Sequence, residues 1–260
     1  MKTIKLLALG LVATFGLYSC GKDKDDVKEN DGKVYLVKSI KCTGDDSKYT
    51  FTYDNNNRLI KVLKEEDDNI ENGTYSYEGN NITEKWTYSD EDQFKHLSRV
   101  ITMDASNEFI SNLIETHTYH YDDGSEPQEY NYPVSFSFNS DYLAKETEYL
   151  GEDKNEEIYT WANGNVTASY ETSYSNIQNK TNMDFVLFYE TVYLRGSLCF
   201  YRIFSQFIKN VSKNIPNSQS IDDGEYGTVK YEISTLLDEK GRPSKITVDE
   251  EECFFFEYYD

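Results

Sequence analysis

The chain has 260 residues and a formal net charge of −21, from 26 lysines and arginines against 47 aspartates and glutamates, which argues against binding to nucleic acid. Only 38% of the residues are hydrophobic, and few are aliphatic, which argues against a parallel α/β sheet with its runs of Val, Ile and Leu. The aromatic share of 15% argues against general disorder. We therefore expect one or two β-rich domains in an acidic protein.

The first twenty residues resemble a bacterial lipoprotein signal. Lys2 and Lys5 precede an apolar run over 6–17, which is shorter than the roughly 20 residues that a spanning helix needs. The run leads into Leu17-Tyr18-Ser19-Cys20, with an aliphatic residue three positions before the cysteine and a small one directly before it. We expect 1–20 to be a signal peptide that ends at a lipidated Cys20, because several acyl chains give a stable anchor. The alternative is an ordinary signal peptide cut near a cysteine.

Residues 21–32 are polar and acidic, without hydrophobic periodicity. They predict a flexible acidic tether. A short acidic run after the lipidated cysteine also resembles the surface-export signal of Bacteroidetes-type lipoproteins, so both the cell surface and the periplasmic face of the outer membrane stay open. Removal of the signal lowers the net charge to −23, because it removes two lysines and no acid. Such a chain should be repelled by anionic lipid and by nucleic acid.

From Lys33 onward an alternating aromatic strand repeatedly leads into a polar turn and then into a second strand. The copies are Tyr49-Thr50-Phe51-Thr52-Tyr53 before Arg58, Tyr75-Ser76-Tyr77 before Ile82, Phe136-Ser137-Phe138 before Tyr142, Tyr159-Thr160-Trp161 before Val166, and Tyr231-Glu232-Ile233 before Pro243. A period of two places all rings of a strand on one face. Asn and Gly in the turns tolerate the positive φ of tight hairpins. The pattern predicts one domain over 33–260, built as a meander of antiparallel hairpins.

One segment departs from this pattern. Apolar residues follow Asp184 at steps of three and four as far as Val211, with a break at Gly196 and a stop before Pro216. This spacing predicts one or two buried helices near 184–212. The expected fold is therefore mainly β, a strongly curved or barrel-like antiparallel sheet whose concave aromatic face is filled by the helical insert.

These features together resemble one known family. The lipoprotein signal, the unit from Tyr53-Asp54 to Arg58-Leu59, the apolar insert and the final hairpin 237–247 are similar to Bacteroidetes lipoproteins classed as a domain of unknown function with a porin-like fold. The unit also resembles the Tyr-Asp repeats of Rhs-type shell proteins. The family resemblance implies a strongly bent antiparallel sheet and no known catalytic residues.

The sequence lacks the common catalytic and metal-binding motifs. It contains no Gly-x-Ser-x-Gly elbow, phosphate-binding glycine loop or His-Glu-x-x-His. His117 and His120 would point to opposite faces of a strand, so we expect no zinc site. The acidic loops lack the spacing of a calcium loop and are better explained as solvated charge runs. We expect no cofactor and no catalytic residue.

The tryptophans, arginines and cysteines each have a structural interpretation, and the tryptophans also have a functional one. Trp86 and Trp161 are candidate stacking residues for a glycan, although alternating rings more often form the inner face of a sheet. The arginines, Arg58, Arg99, Arg195, Arg202 and Arg242, are interpreted as surface partners of nearby carboxylates. Cys42, Cys199 and Cys253 are interpreted as small buried hydrophobic residues, with at most one disulfide among them.

The sequence thus favours a non-enzymatic, lipid-anchored envelope protein that binds a ligand or has a structural role, with the membrane as partner through Cys20. One binding alternative is an apolar ligand enclosed by the sheet, and another is a glycan on its outer face. A third alternative is a hydrolase of polysaccharide or peptidoglycan, which would need two facing carboxylates in a cleft.

Overall fold

The computed structural model describes ten stretches of the chain. They are 33–67, 69–87, 94–103, 109–119, 125–151, 153–167, 172–189, 191, 199–222 and 228–260. The predicted signal peptide, its Cys20 and the tether 21–32 lie outside the described residues, as do His120 and Arg195.

The described residues form seventeen β-strands, in keeping with the expectation of a mainly β fold. The strands are β1 (Val37–Cys42), β2 (Lys48–Tyr53), β3 (Leu59–Glu66), β4 (Asn69–Glu78), β5 (Asn81–Thr87), β6 (Phe94–Met103), β7 (Ile110–Tyr119), β8 (Gln128–Asn139), β9 (Tyr142–Leu150), β10 (Asp153–Ile158), β11 (Trp161–Ala162), β12 (Asn165–Val166), β13 (Thr172–Gln178), β14 (Asn214–Asp222), β15 (Thr228–Leu237), β16 (Pro243–Val248) and β17 (Glu252–Tyr258).

Fifteen of these strands form one antiparallel sheet within the described part of the chain. Its order is β10-β9-β8-β7-β6-β5-β4-β3-β2-β1-β17-β16-β15-β14-β13, whereas β11 and β12 pair only with each other. Almost every strand pairs with its neighbour in the sequence, which confirms the predicted hairpin meander. The first strand, β1, pairs with the last strand, β17, and Ile40 lies opposite Phe256. The order ends at β10 and at β13, so the described sheet is not closed.

Alternation along the strands separates the two faces of the sheet. On β2, Tyr49 and Phe51 are buried, whereas Thr50 and Thr52 between them are half-buried or exposed. The turn that follows contains Asn57 at φ 60°, in the left-handed region that asparagine tolerates. The aromatic side of each hairpin therefore faces the core, as the pattern predicts.

The segment between β13 and β14 packs against that aromatic face. Its described helical parts are α1 (Phe185–Phe188), a single 3-10 turn (Phe200–Arg202) and α2 (Ser205–Ile208). Phe200 and Phe204 contact Phe51 edge to face at 5.5 and 5.2 Å between ring centroids, and Phe188 contacts Phe254 in the same way at 5.5 Å.

This packing confirms the buried helical insert. From residue 199 onward, where the insert is described throughout, its helical segments are shorter than expected. Helices of four residues are not stable alone in water, so contacts with the sheet must hold them. None of the described helices has the length and apolar character needed to cross a membrane.

Candidate functional site

The insert packs closely against the sheet at its β17 side. Near β17 the remaining void measures about 10 Å³, roughly the room of one water molecule. Its lining includes Phe185, Phe188 and Tyr189 of the insert and Phe254 and Phe256 of the sheet. This part of the core therefore has no room for an enclosed apolar ligand.

A row of polar side chains crosses the inner face of five neighbouring strands. Tyr75, Glu84, Arg99, Glu115 and Tyr132 lie directly opposite one another on β4 to β8. Glu84 accepts a hydrogen bond from the Tyr75 hydroxyl at 2.6 Å and an ion-pair contact from Arg99 at 3.2 Å. The second partner of Arg99 is Glu115, at 2.5 Å. Glu84 is 0% exposed and Arg99 is 3% exposed, so these charges are buried.

The paired charges shift the pKa values within this row. Burial would raise the pKa of Glu115, but a hydrogen bond with His117 and the charge of Arg99 lower it to about 2. Burial would lower the pKa of Arg99, but the surrounding anions, Glu84 first, raise it well above its usual range. Glu115 and Arg99 therefore stay charged, and the Arg99 guanidinium has a glutamate partner on each neighbouring strand.

A second buried pair joins the insert to β9. The guanidinium of Arg202 lies 2.5 Å from a carboxylate oxygen of Glu146. The centre of the Tyr201 ring lies 5.7 Å from the guanidinium carbon of Arg99 and 5.7 Å from that of Arg202. Arg99 also lies 3.6 Å from the sulfur of Cys199. These contacts hold the insert against the sheet, so we interpret the buried charges as structural.

The expectation of surface arginine pairs is therefore wrong for Arg99 and Arg202. Both side chains project from backbone positions that face the core, and each is compensated by a buried carboxylate, Glu84 or Glu146. The expectation also fails for Arg242, whose side chain is only 10% exposed in its pair with Asp238. Arg58 fits the expectation, since its side chain is 45% exposed and pairs with Asp54 at 2.6 Å.

An open cleft of about 530 Å³ lies where α2 meets the hairpin turns of the sheet. Its volume falls within the range of small-molecule sites, about 300 to 1,000 Å³. The lining residues are Arg58, Tyr77, Gly79, Ile82, Met103, Ser205, Gln206 and Lys209.

One wall of the cleft is fixed by hydrogen bonds between the sheet and α2. The Tyr77 hydroxyl donates to the carbonyl oxygen of Leu59 at 2.6 Å and accepts from the Gln206 amide at 3.1 Å. The Gln206 carbonyl oxygen in turn accepts from the backbone N–H of Leu59 at 2.7 Å. Burial raises the pKa of the Tyr77 hydroxyl to about 12, so it stays neutral at physiological pH. This wall is preorganised, with its polar groups held in place.

The cleft is amphipathic and close to neutral. Ile82 and Met103 are buried apolar residues, and the guanidinium of Arg58 lies 4.3 Å from the centre of the Tyr77 ring. Arg58 is paired with Asp54, and Lys209 pairs with Asp141 at 2.9 Å. None of the described lining residues is an aspartate or a glutamate. The arrangement suits an uncharged ligand that has both apolar and hydrogen-bonding surfaces.

The two candidate tryptophans lie apart from this cleft. Trp86 is 1% exposed, stacks on Phe200 at 5.9 Å between ring centroids, and donates a hydrogen bond to Glu84 at 2.7 Å. The expectation of ligand stacking is therefore corrected for Trp86, whose ring belongs to the core. Trp161 is half-buried, donates to the carbonyl oxygen of Leu143 at 2.6 Å and lies 4.6 Å from the Tyr142 ring. Its stacking role stays a prediction.

The described histidines and cysteines do not form a metal site. His117 is hydrogen-bonded to Glu115, and no described group of three or more His, Cys, Asp or Glu side chains could hold a metal ion. The three described cysteines are free thiols; Cys42 and Cys199 are buried as expected, whereas Cys253 is half-buried. The expectation that all three are buried therefore fails for Cys253, which lies on the outward side of β17 next to Thr247.

Comparison with known proteins identifies the fold. The chain resembles the crystal structure of a porin-like protein from Bacteroides vulgatus ATCC 8482, with 15% identity over 86% of this chain and 99% of that chain and a TM-score of 0.57. A porin-like protein from Bacteroides uniformis ATCC 8492 matches at 11% identity and a TM-score of 0.45, over 86% of this chain and 98% of that chain. No protein-family model and no curated protein matches the chain. The first likeness confirms the porin-like fold, and the lipoprotein family stays a prediction.

Proposed function

We propose that this protein is a non-enzymatic, lipid-anchored protein of the outer membrane that binds a neutral saccharide in the cleft beside α2. The cleft carries this proposal, because it combines an apolar floor with a fixed hydrogen-bonding wall. A sugar ring presents the matching surfaces, namely C–H groups on its faces and hydroxyls at its edge. The membrane would be reached through the lipid on Cys20, and the acidic net charge makes nucleic acid an unfavourable partner.

The charge balance of the cleft supports a neutral ligand over an anion. Arg58 and Lys209 each contact a carboxylate within 3 Å, from Asp54 and Asp141 respectively. An anionic ligand would have to displace these partners, which would offset most of the attraction. Neutral hydroxyls can instead share the donors of Ser205 and Lys209, which line the cleft.

The other two alternatives find less support in the described residues. Near β17 the described void between the insert and the sheet is only about 10 Å³, which is too small for an enclosed apolar ligand. A glycoside hydrolase needs two carboxylates that flank the bound sugar. The described lining of the cleft includes no carboxylate, which favours binding over hydrolysis.

The test is calorimetry of the purified mature protein in detergent against methyl glycosides of hexoses and N-acetylhexosamines and against their disaccharides. Ser205→Trp would place an indole in the cleft and should weaken any binding about tenfold or more. Ser137→Trp, on the exposed side of β8, is the matched control and should bind as the unmodified protein does. Absence of binding to the whole panel, or equal loss in both variants, would contradict the proposal.

A further inference from the structure

One part of the sheet face that points away from the insert, centred on β5 to β7, is depleted of acids, although the chain contains 47 of them. On β5, β6 and β7 the described outward side chains include no carboxylate. They are Asn81, Thr83, Lys85, Thr87, Val100, Thr102, Asn112, Ile114, Thr116 and Thr118. On the flanking strands the outward acids stand near the strand ends, as Glu78 does on β4 and Glu129 on β8. The acids are thus kept off one continuous surface.

Two exposed lysines stand on this surface. Lys61 on β3 lies opposite Thr74 on β4, and Thr74 lies opposite Lys85 on β5. With strands about 4.8 Å apart, the two lysines are separated by roughly 10 Å across the sheet. Neither forms an ion pair with a described residue, in contrast to Lys154 and Lys230, which contact glutamates at 3.2 and 2.5 Å. The two ammonium groups therefore face solvent without a compensating carboxylate among the described side chains.

The rest of the surface offers hydrogen-bonding groups and little apolar area. Thr83 and Thr87 flank Lys85 on the same strand, and each hydroxyl can donate and accept. Val100 and Ile114 lie opposite each other and are 42% and 49% exposed. The described outward side chains of β5 to β7 include no aromatic residue, whereas a surface that lies on a membrane relies on Trp, Phe and Leu for insertion.

We propose that this outer lysine–threonine face, defined by Lys61, Thr74, Thr83, Lys85, Thr87 and Thr116, binds an acidic polysaccharide. The ammonium groups attract the carboxylates of uronic acid units, and the threonine hydroxyls pair with the sugar hydroxyls. A polyanion is repelled by the net charge of the chain as a whole, so a surface without acids is where it can approach. This face is opposite the insert and does not depend on the cleft or on its ligand.

The experiment measures binding of polygalacturonate to the purified mature protein in detergent, with fully methyl-esterified polygalacturonate as the uncharged comparison. Lys61→Glu combined with Lys85→Glu should weaken binding about tenfold or more, because each lysine contributes measurably at an anionic surface. Lys154→Glu combined with Lys230→Glu makes the same change in net charge on β10 and β15 and is the matched control. It should change the affinity much less.

A milder pair, Lys61→Gln with Lys85→Gln, should show an intermediate loss, and unfolding in urea checks that every variant is folded. Binding should also weaken as salt is added, because the attraction is between charges in contact with solvent. The proposal is overturned if polygalacturonate does not bind, if the esterified polymer binds equally well, or if both glutamate pairs weaken binding equally. It is also overturned if the face binds vesicles of anionic phospholipid while polygalacturonate does not bind.

Discussion

The indole of Trp86 covers the backbone of Gly73, its direct partner across β4 and β5. A Cβ atom on Gly73 would lie 2.6 Å from Trp86 Cε2 and Cζ2. The other side of the indole stacks on Phe200 of the insert. Gly73 is therefore the floor of a slot that orients Trp86, and through it the insert.

The first prediction concerns that slot. Gly73→Ala should destabilise the protein by about 1–3 kcal/mol, because the buried indole cannot move away without disturbing the core. Ser76→Ala, at an exposed position of the same strand, should cost about 0.5 kcal/mol or less. Unfolding in urea gives both values, and equal stability of the two variants would contradict the packing described for Trp86.

The second prediction concerns pH. The pKa of Glu115 is about 2 in the folded protein and ordinarily near 4.5, so its ion pair stabilises the fold above about pH 4.5 and loses this effect as the pH falls toward 2. The effect is on the order of 3 kcal/mol. Glu115→Gln should therefore be less stable than the unmodified protein at pH 7, and the difference should shrink between pH 5 and pH 3.

Urea unfolding across this pH range checks the prediction, with Glu129→Gln on the exposed side of β8 as control. Burial raises the pKa of Glu146 and of Asp184, so ionisation of these two groups makes the fold less stable as the pH rises, which is opposite to the effect of Glu115. They are common to both proteins and cancel in the comparison. A stability difference for Glu115→Gln that is independent of pH would show that His117 and Arg99 do not lower the pKa of Glu115.

The third prediction concerns Asp184, whose hydrogen bonds join the start of the insert to its end. Asp184 caps α1 by accepting hydrogen bonds from the backbone N–H groups of Val186 and Leu187 at 3.0 and 3.1 Å. Its other oxygen accepts from the N–H of Ser212 at 2.5 Å, which ties the start of the insert to its end. Asp184→Ala leaves these buried donors without the carboxylate and should cost about 2–5 kcal/mol. Asp184→Asn retains one acceptor oxygen and should cost less, and equal urea midpoints for the two variants would refute this role.

The fourth prediction compares two copies of one turn. Asp54 with Arg58 and Asp238 with Arg242 form the same ion-paired hairpin turn, at 2.6 Å in each copy. The Arg242 side chain is mostly buried, with its guanidinium 4.7 Å from the Tyr35 ring centre and 4.6 Å from that of Tyr258. Arg242→Ala should therefore cost about 2–4 kcal/mol, whereas Arg58→Ala should cost about 0–1 kcal/mol. Thermal unfolding distinguishes them, and the reverse order would contradict the difference in burial.

The hairpins could be predicted because their signals are local. Rings at alternate positions, as at Tyr49 and Phe51, mark the buried face, and Asn57 or Gly241 marks a turn with positive φ. The same alternation contains a signal for the buried ion row. Glu84 stands between Ile82 and Trp86 with the parity of the apolar face, which indicates a carboxylate that points into the core.

The insert and the cleft could be predicted only in part, because they depend on contacts between distant segments. The apolar spacing after Asp184 indicates burial, but it does not indicate that the helical segments from residue 199 onward are single turns. The cleft depends on Gln206 reaching Leu59, which is 147 residues away in the chain. No local pattern at either residue indicates this contact.

Methionine NMR offers the most direct test of saccharide binding in the cleft. The chain has three methionines, and protein produced without residues 1–20 contains only Met103 and Met183. Met103 lines the cleft, whereas Met183 is fully buried at the start of the insert. Titration of methyl-labelled protein with the tightest-binding saccharide of the panel should shift the Met103 methyl signal saturably and leave Met183 unchanged. Binding that leaves Met103 unmoved, or moves both signals alike, would contradict the proposal.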